Sequence, residues 1–213
     1  MSIQEKIKKV QEENLEEICL ENCELKKIPI ELFNLTNLKK LKINYNFLQE
    51  IPIEICKLKK LECLCLTSNQ LQKIPEYLAE LENLEYLYLG FNYLHNIPEC
   101  IFKMKKLKEL YLQKNYISEI PPEIANLEEL IELGLDNNLI KKIPFEIGKL
   151  IKLKELRLEN NYILSEELKN LSEYKCEWLI VENAELKKKL YYCPDGPGYN
   201  EAKEDFENLQ EED

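Results

Sequence analysis

Apolar residues recur along this chain with a fixed period of 23 positions. Each repeat follows the template L-x-x-L-x-L-x-x-N-x-L-x-x-I-P-x-x-I-x-x-L-x-x, and the segment from Leu107 to Glu129 is its clearest example. The template begins at Leu15, Leu38, Leu61, Leu84, Leu107, Leu130 and Leu153. A short period repeated this often predicts a solenoid, in which each repeat packs only on its neighbours.

Two further residue types keep the same step. Six Ile-Pro pairs follow it, at positions 28–29, 51–52, 74–75, 97–98, 120–121 and 143–144. Six asparagines follow it as well: Asn46, Asn69, Asn92, Asn115, Asn138 and Asn161. A chance hydrophobic rhythm would not hold this register through so many consecutive steps.

Each repeat is predicted to contribute one short strand and one irregular return. In the L-x-L segment the leucines enter the core and the residues between them face outward on a concave sheet. Proline lacks an amide hydrogen and fixes its backbone angle, which favours turns or short helices on the convex side. The predicted fold is an α/β solenoid horseshoe with a parallel concave β-sheet and helical caps at both ends.

The six asparagines are predicted to form a structural ladder without a catalytic role. Each one follows a strand, where its amide can satisfy backbone groups that would otherwise be buried without a hydrogen bond. Cys23 takes this position in the first repeat, which has only one neighbouring repeat.

The first segment, residues 1–14, is predicted to be an N-terminal capping helix. Ser2 and Glu5 have the spacing of a capping box, and a terminal repeat needs a cover for its open core. Residues 15–175 then hold the seven repeats.

The template degrades after the start of the seventh repeat. Ser165 is predicted to cap a short helix over residues 166–171. Residues 176–193 are predicted to form a half repeat and a C-terminal cap, with a closing helix over residues 183–192. Residues 194–213 are rich in acidic residues and are predicted to be a flexible tail.

Residues 15–175 resemble the 23-residue class of leucine-rich repeat proteins, such as the intracellular Ras-suppressor-like proteins and the repeat regions of signalling scaffolds. The motif residues that carry this resemblance are those of the core and the asparagine ladder. The resemblance implies protein–protein recognition on the concave face, and it implies no enzymatic activity.

Composition and charge restrict the partners and the compartment. The net charge of −11 disfavours direct nucleic-acid binding, which depends on lysine and arginine neutralising phosphates, and it disfavours an anionic membrane surface. The chain has no apolar run of about 18 residues for membrane insertion, and residues 1–10 lack the apolar core of a signal peptide. We expect a protein of the cytoplasm, with the nucleus as the alternative, that is not secreted.

The sequence offers little chemistry. His95 is the only histidine, and neither a Cys-x-x-Cys pair nor a glycine-rich phosphate loop occurs. We therefore predict no catalytic residues, no metal and no cofactor. The eight cysteines are spread through the repeats and are predicted to be free thiols in a reducing compartment.

Candidate partner-binding residues lie on the outward strand positions and just after them. Tyrosines on an exposed sheet are typical interface anchors, although aromatic residues also favour strands for packing alone. The predicted binding set is Tyr86, Tyr88, Glu109, Tyr111, Gln113, Glu132, Gly134, Asp136, Glu155 and Arg157. Gly134 is expected to leave a shallow gap beside Tyr111. A further row at the edge of the sheet holds Phe47, Tyr93, Tyr116 and Tyr162.

These observations favour a non-enzymatic adaptor or regulatory scaffold that binds a protein on its concave face. The partner classes considered are a GTPase, a phosphatase or a subunit of a complex. One alternative is a structural subunit embedded in a larger intracellular assembly, which would co-purify at fixed stoichiometry. Another is an acidic chaperone of basic proteins, whose binding would depend strongly on salt.

Overall fold

The repeats build one continuous β-sheet. The structure, a computed structural model, describes residues 1–163 and the segments Trp178–Asn183 and Lys188–Tyr192. Its nine strands lie in chain order across the sheet. They are β1 (Glu17–Cys19), β2 (Lys40–Lys42), β3 (Cys63–Cys65), β4 (Tyr86–Tyr88), β5 (Glu109–Tyr111), β6 (Glu132–Gly134), β7 (Glu155–Leu158), β8 (Trp178–Asn183) and β9 (Lys188–Tyr192).

Strands β1 to β8 are parallel, and each of the first seven strands pairs with the same positions of the next repeat. Leu87 lies opposite Leu110, and Leu110 lies opposite Leu133, so the register advances by one 23-residue period per strand. All three leucines are almost completely buried. The predicted α/β solenoid with a parallel sheet is confirmed, because identical spacing returns the chain to the same place in each repeat.

The opposite side of the solenoid, which we call the convex side, consists of short 3₁₀ helices. Each follows the proline of an Ile-Pro pair; Pro121, for example, has φ −75°. Proline restricts φ to this region and cannot donate to a strand ladder. The helices are Ile30–Asn34, Ile53–Lys57, Glu76–Glu80, Glu99–Lys103, Pro122–Asn126 and Phe145–Lys149.

The asparagine side chains connect neighbouring repeats inside the core. Asn115 Oδ1 accepts from the amide of Leu94 at 2.9 Å, and its Nδ2 donates to the carbonyls of Leu89 and Leu112, each at 3.0 Å. Because a missing partner would leave buried backbone groups unpaired, each amide stabilises two repeats at once. Equivalent bonds are made by Asn46, Asn69, Asn92, Asn138 and Asn161.

Helix α1 spans Ile3–Glu12 and begins with the predicted capping box. Glu5 N–H donates to Ser2 Oγ at 3.2 Å, and Ser2 N–H donates to Glu5 Oε2 at 2.7 Å. The helix contacts β1 and buries Ile7 and Val10 in the same core as the repeats. No helix within the described residues has the length and apolar content needed to cross a membrane.

The predicted closing helix over residues 183–192 is wrong. Strand β9 occupies Lys188–Tyr192 instead and pairs antiparallel with β8, from Leu179 opposite Tyr192 to Asn183 opposite Lys188. Without β9, the outer edge of β8 would present unpaired backbone groups, and strand pairing satisfies them where a helix would not. The predicted helix over residues 166–171 and the tail over residues 194–213 lie outside the described residues.

Candidate functional site

The sheet surface that points away from the core, which we call the concave face, brings the two central tyrosines together. Tyr88 of β4 lies in register with Tyr111 of β5, and their rings stack with centroids 5.5 Å apart and planes inclined by 27°. The Arg157 guanidinium carbon lies 5.8 Å from the centroid of the Tyr111 ring, within the range of a cation–π contact. Tyr88, Tyr111 and Arg157 therefore form one continuous array.

Glu109, Glu132 and Glu155 lie in register on β5, β6 and β7 and form an acidic row that runs beside this array and holds it in place. Tyr88 Oη donates to Glu109 Oε2 at 2.6 Å. The Tyr111 hydroxyl donates to Glu132 in the next strand, and Arg157 Nε donates to Glu155. Hydrogen bonds that involve an ionised group are stronger than neutral ones, so the tyrosine rings and the arginine are fixed before any partner arrives.

The ionisation of both tyrosines reflects this environment. Burial raises the pKa of the Tyr88 phenol well above its ordinary value, and the hydrogen bond to Glu109 raises it further. Burial and the hydrogen bond to Glu132 raise the pKa of the Tyr111 phenol in the same way. Both tyrosines therefore remain neutral hydrogen-bond donors throughout the physiological pH range.

These shifts predict a loss of stability at alkaline pH. A tyrosine whose pKa is raised by folding contributes stability below its unfolded value of about 10 and loses it as pH rises above that value. We expect the free energy of unfolding in urea to fall between pH 9 and pH 11. The Tyr88→Phe/Tyr111→Phe double variant should lose less unfolding free energy over the same interval. Equal losses in the two proteins would contradict the assignment of the alkaline loss to Tyr88 and Tyr111.

The expected gap at Gly134 does not exist. A Cβ atom at Gly134 would lie 2.7 Å from Tyr111 Cδ1, so the Tyr111 ring already covers this position and Gly134 is buried. The absence of a side chain is what allows the ring to lie flat on the neighbouring strand. Gly134 thus accommodates the Tyr111 ring and does not form a depression in the concave face.

Gln113 lies over a second glycine in the same way. A Cβ atom at Gly90 would lie 2.6 Å from Gln113 Cδ. Gln113 Oε1 is buried and has no hydrogen-bond partner among the described residues. An unpaired buried acceptor costs free energy. Among the described residues, Gln113 is the only member of the predicted binding set that has such an acceptor.

Two residues of the predicted set lie at the margin of the array. Tyr86 pairs in register with Glu109 and is half-buried. Asp136 Oδ2 accepts from Asn137 Nδ2 at 2.7 Å, and its charge contributes to raising the pKa of Arg157, for which Glu155 is the main cause. The predicted set therefore lies on one surface, with Tyr88, Tyr111, Arg157 and the three glutamates in direct contact.

Sequence reasoning missed part of a second aromatic surface at the edge of the sheet. Tyr93 stacks on Tyr116 with centroids 6.2 Å apart, and His95 stacks on Tyr116 at 5.4 Å. Lys114 Nζ lies 4.6 Å from the centroid of the Phe91 ring. We call these five residues the aromatic edge. The signal for Tyr93 and Tyr116 was their shared repeat position. Phe91 and Lys114 also share a repeat position, but its residue type varies along the chain, and His95 has no aromatic counterpart in the other repeats.

The described residues contain no group of three or more histidine, cysteine, aspartate or glutamate side chains arranged to hold a metal ion.

A family model for leucine rich repeats matches residues 13–71, 61–117, 82–140 and 105–163. The chain belongs to the leucine-rich repeat family. A comparison with curated proteins gives no match, and the narrower likeness to Ras-suppressor-like proteins stays a prediction.

Solved leucine-rich repeat structures have the same fold. A leucine-rich repeat protein of Leptospira interrogans is 31% identical, with a TM-score of 0.61 over 75% of this chain and 46% of that one. The ectodomain of the Arabidopsis thaliana receptor kinase GASSHO1/SCHENGEN3, in complex with CASPARIAN STRIP INTEGRITY FACTOR 2, is 33% identical, with a TM-score of 0.57 over 65% and 17%. The plant peptide hormone receptor RGFR1, in complex with RGF2, is 36% identical, with a TM-score of 0.56 over 63% and 22%. This leucine-rich repeat chain spans less than half of each of these proteins.

Proposed function

We propose that this protein is a non-enzymatic adaptor or regulatory scaffold that binds a protein partner on its concave face. The observation that carries the proposal is the fixed array of Tyr88, Tyr111 and Arg157 bordered by three glutamates. Aromatic and arginine side chains dominate binding energy at protein interfaces. Side chains that are already held in place lose less conformational entropy on binding.

The array also indicates the chemistry of the partner surface. Tyr88 and Tyr111 offer ring edges for apolar contact, and Glu109, Glu132 and Glu155 favour basic groups opposite them. We therefore expect a partner segment that combines an apolar centre with flanking lysine or arginine.

The proposed partner is a GTPase, a phosphatase or a subunit of a complex. Two of the similar structures are receptors bound to a second molecule, which supports binding by this fold without naming a partner here. The runner-up is a structural subunit of a larger assembly, favoured by the exposed aromatic edge, where Phe91, Tyr93 and Tyr116 are 43–45% exposed. An acidic chaperone of basic proteins is the third proposal and depends on residues 194–213.

Affinity capture with matched baits tests the binding proposal. Wild-type protein, Tyr111→Ala and the convex variant Glu123→Ala would be exposed to a lysate of the source cells, and bound proteins quantified by mass spectrometry. We expect a protein that is retained by wild type and Glu123→Ala and lost with Tyr111→Ala. Retention by Tyr111→Ala with loss by Glu123→Ala would place the interface on the convex side.

We further propose that the protein works in the cytoplasm, with the nucleus as the alternative. Six cysteines are free thiols in the described part of the chain: Cys19, Cys23, Cys56, Cys63, Cys65 and Cys100. Unpaired thiols fit a reducing compartment.

Thiol reactivity should follow burial. Cys19 is exposed, whereas burial raises the pKa of the Cys100 thiol to about 11. Since the thiolate is the reactive form, we expect iodoacetamide at pH 8 to modify Cys19 before Cys100, as measured by peptide mass spectrometry. In denaturant without reductant all eight thiols should react, and two or more unreactive cysteines would indicate a disulfide and a different compartment.

A further inference from the structure

Two cysteines lie side by side at the basic end of the concave face. Cys63 and Cys65 are the first and third residues of β3, so both point away from the core. Their Sγ atoms are 3.6 Å apart, and both are free thiols. The two residues keep 8% and 7% of their surface exposed, so the sulfur pair lies shallowly beneath the concave surface.

The charges around the pair favour ionisation of one sulfur. Lys40 and Lys42 of β2 lie in register with Cys63 and Cys65. The hydrogen bond with Cys65 lowers the pKa of the Cys63 thiol, burial opposes this, and the two lysines lower it further. Cys65 carries the proton of the pair, and the hydrogen bond with Cys63 raises its pKa. Glu109 also faces Cys63, and its charge opposes ionisation.

The strand geometry disfavours a disulfide between these sulfurs. Residues two apart on a strand have Cα atoms about 6.4–6.8 Å apart, at the upper limit for a disulfide, and their parallel Cβ atoms lie well beyond the required separation of about 3.5–4.5 Å. A disulfide would therefore require β3 to bend away from β2 and β4. An atom placed between the two sulfurs requires no such change.

We propose that Cys63 and Cys65 form a two-thiolate site for a soft, thiophilic centre, of which a monosubstituted trivalent arsenical is the simplest member. An arsenoxide R–As=O and the two thiols give R–As(S–Cys)₂ and one water. Two As–S bonds form, the As=O double bond and the two S–H bonds break, the oxygen leaves with both thiol protons as water, and arsenic stays trivalent. Thiolate sulfur binds soft acceptors preferentially. The described residues place no third histidine, cysteine, aspartate or glutamate beside the pair for metal binding, and a monosubstituted arsenical needs only two sulfurs.

Titration with phenylarsine oxide in excess glutathione tests this site. Glutathione removes arsenic held by one protein sulfur, whereas a chelate formed by two linked sulfurs should bind at least about 100-fold more tightly. We expect intact mass spectrometry of the folded protein to show one retained adduct. Cys63→Ser and Cys65→Ser should each lose it, while the matched control Cys19→Ser, which removes a thiol two strands from Cys65 in the same row, should retain it.

The outcomes separate this site from any other pair of thiols. Cys63→Ala and Cys65→Ala serve as second variants if serine disturbs β3, and circular dichroism checks their fold. An adduct that survives at wild-type strength in all four variants, or that disappears in Cys19→Ser, would overturn the proposal. The test needs no protein partner, so its result is independent of the proposed binding function.

Discussion

Leu110→Ala is expected to lower the free energy of unfolding by about 2–5 kcal/mol, the range for a buried leucine truncated to alanine. Leu110 has no exposed surface and lies between Leu87 and Leu133 in the core row of the sheet. A cavity there is bordered by the repeats on both sides, which limits how far the core can close around it. Leu112→Ala should behave alike, since Leu112 is equally buried.

Asn115→Ala tests the ladder in the same assay. The change leaves the amide of Leu94 and the carbonyls of Leu89 and Leu112 without their side-chain partner, at about 1–3 kcal/mol for each group left unpaired in the core. Asn96→Ala is the matched control, because Asn96 is exposed in the preceding repeat. Urea denaturation that shows Leu110→Ala, Leu112→Ala and Asn115→Ala all unchanged would contradict the repeat register.

Tyr88→Ala and Tyr111→Ala should each weaken binding of the purified partner by 2 kcal/mol or more, about thirtyfold in Kd. Both rings belong to the array on the concave face, and both side chains point away from the core. The fold should therefore change little, and circular dichroism provides the check. Glu132→Lys should lower the association rate and change its salt dependence, and it also removes the carboxylate that accepts from the Tyr111 hydroxyl. The convex variant Glu123→Ala should bind as wild type.

Gly134→Ala offers an independent route to the same anchor. The added methyl group would meet the Tyr111 ring at 2.7 Å, so the ring must leave its position and its hydrogen bond to Glu132. Isothermal titration calorimetry should then show weaker partner binding although no side chain has been removed. Wild-type affinity in both Gly134→Ala and Tyr111→Ala would contradict the role of this ring.

The repeat register and the roles of its fixed residues were predictable from the sequence. A solenoid makes the same demand on the same position of every repeat, so leucines, prolines and asparagines recur wherever a core, a turn or a buried amide is needed. One recurrent feature left only a partial trace in the residue types, since it falls on asparagine at Asn137 and Asn160 but on other residue types elsewhere. The residue before each ladder asparagine has a positive φ, as at Tyr45, Phe91 and Lys114.

These left-handed residues are determined by contacts between repeats. Asparagine and glycine favour this conformation, but Phe91 and Lys114 do not. Their amides donate to the carbonyls of Gln113 and Asp136 in the next repeat, at 2.8 and 2.9 Å, and these bonds offset the local strain. The conformational preferences of the residues within one repeat therefore cannot predict these positive φ angles, because the bonds that stabilise them come from the next repeat.

The remaining differences also depend on neighbours. The Tyr111 ring fills the space at Gly134 because of its orientation across two strands, which the periodicity does not specify. The segment Lys188–Tyr192 forms a strand because β8 offers an unpaired edge. In both places the local sequence permits several conformations, and the adjacent repeat selects one.

Site-specific photo-crosslinking tests the central claim, partner binding on the concave face, most directly. A photoreactive phenylalanine analogue would replace Tyr86, at the margin of the array, or Glu123 on the convex side, and each protein would be irradiated with the purified partner. We predict a crosslinked complex from position 86 and none from position 123. Crosslinking from position 123 alone would contradict the assignment of the concave face as the binding surface.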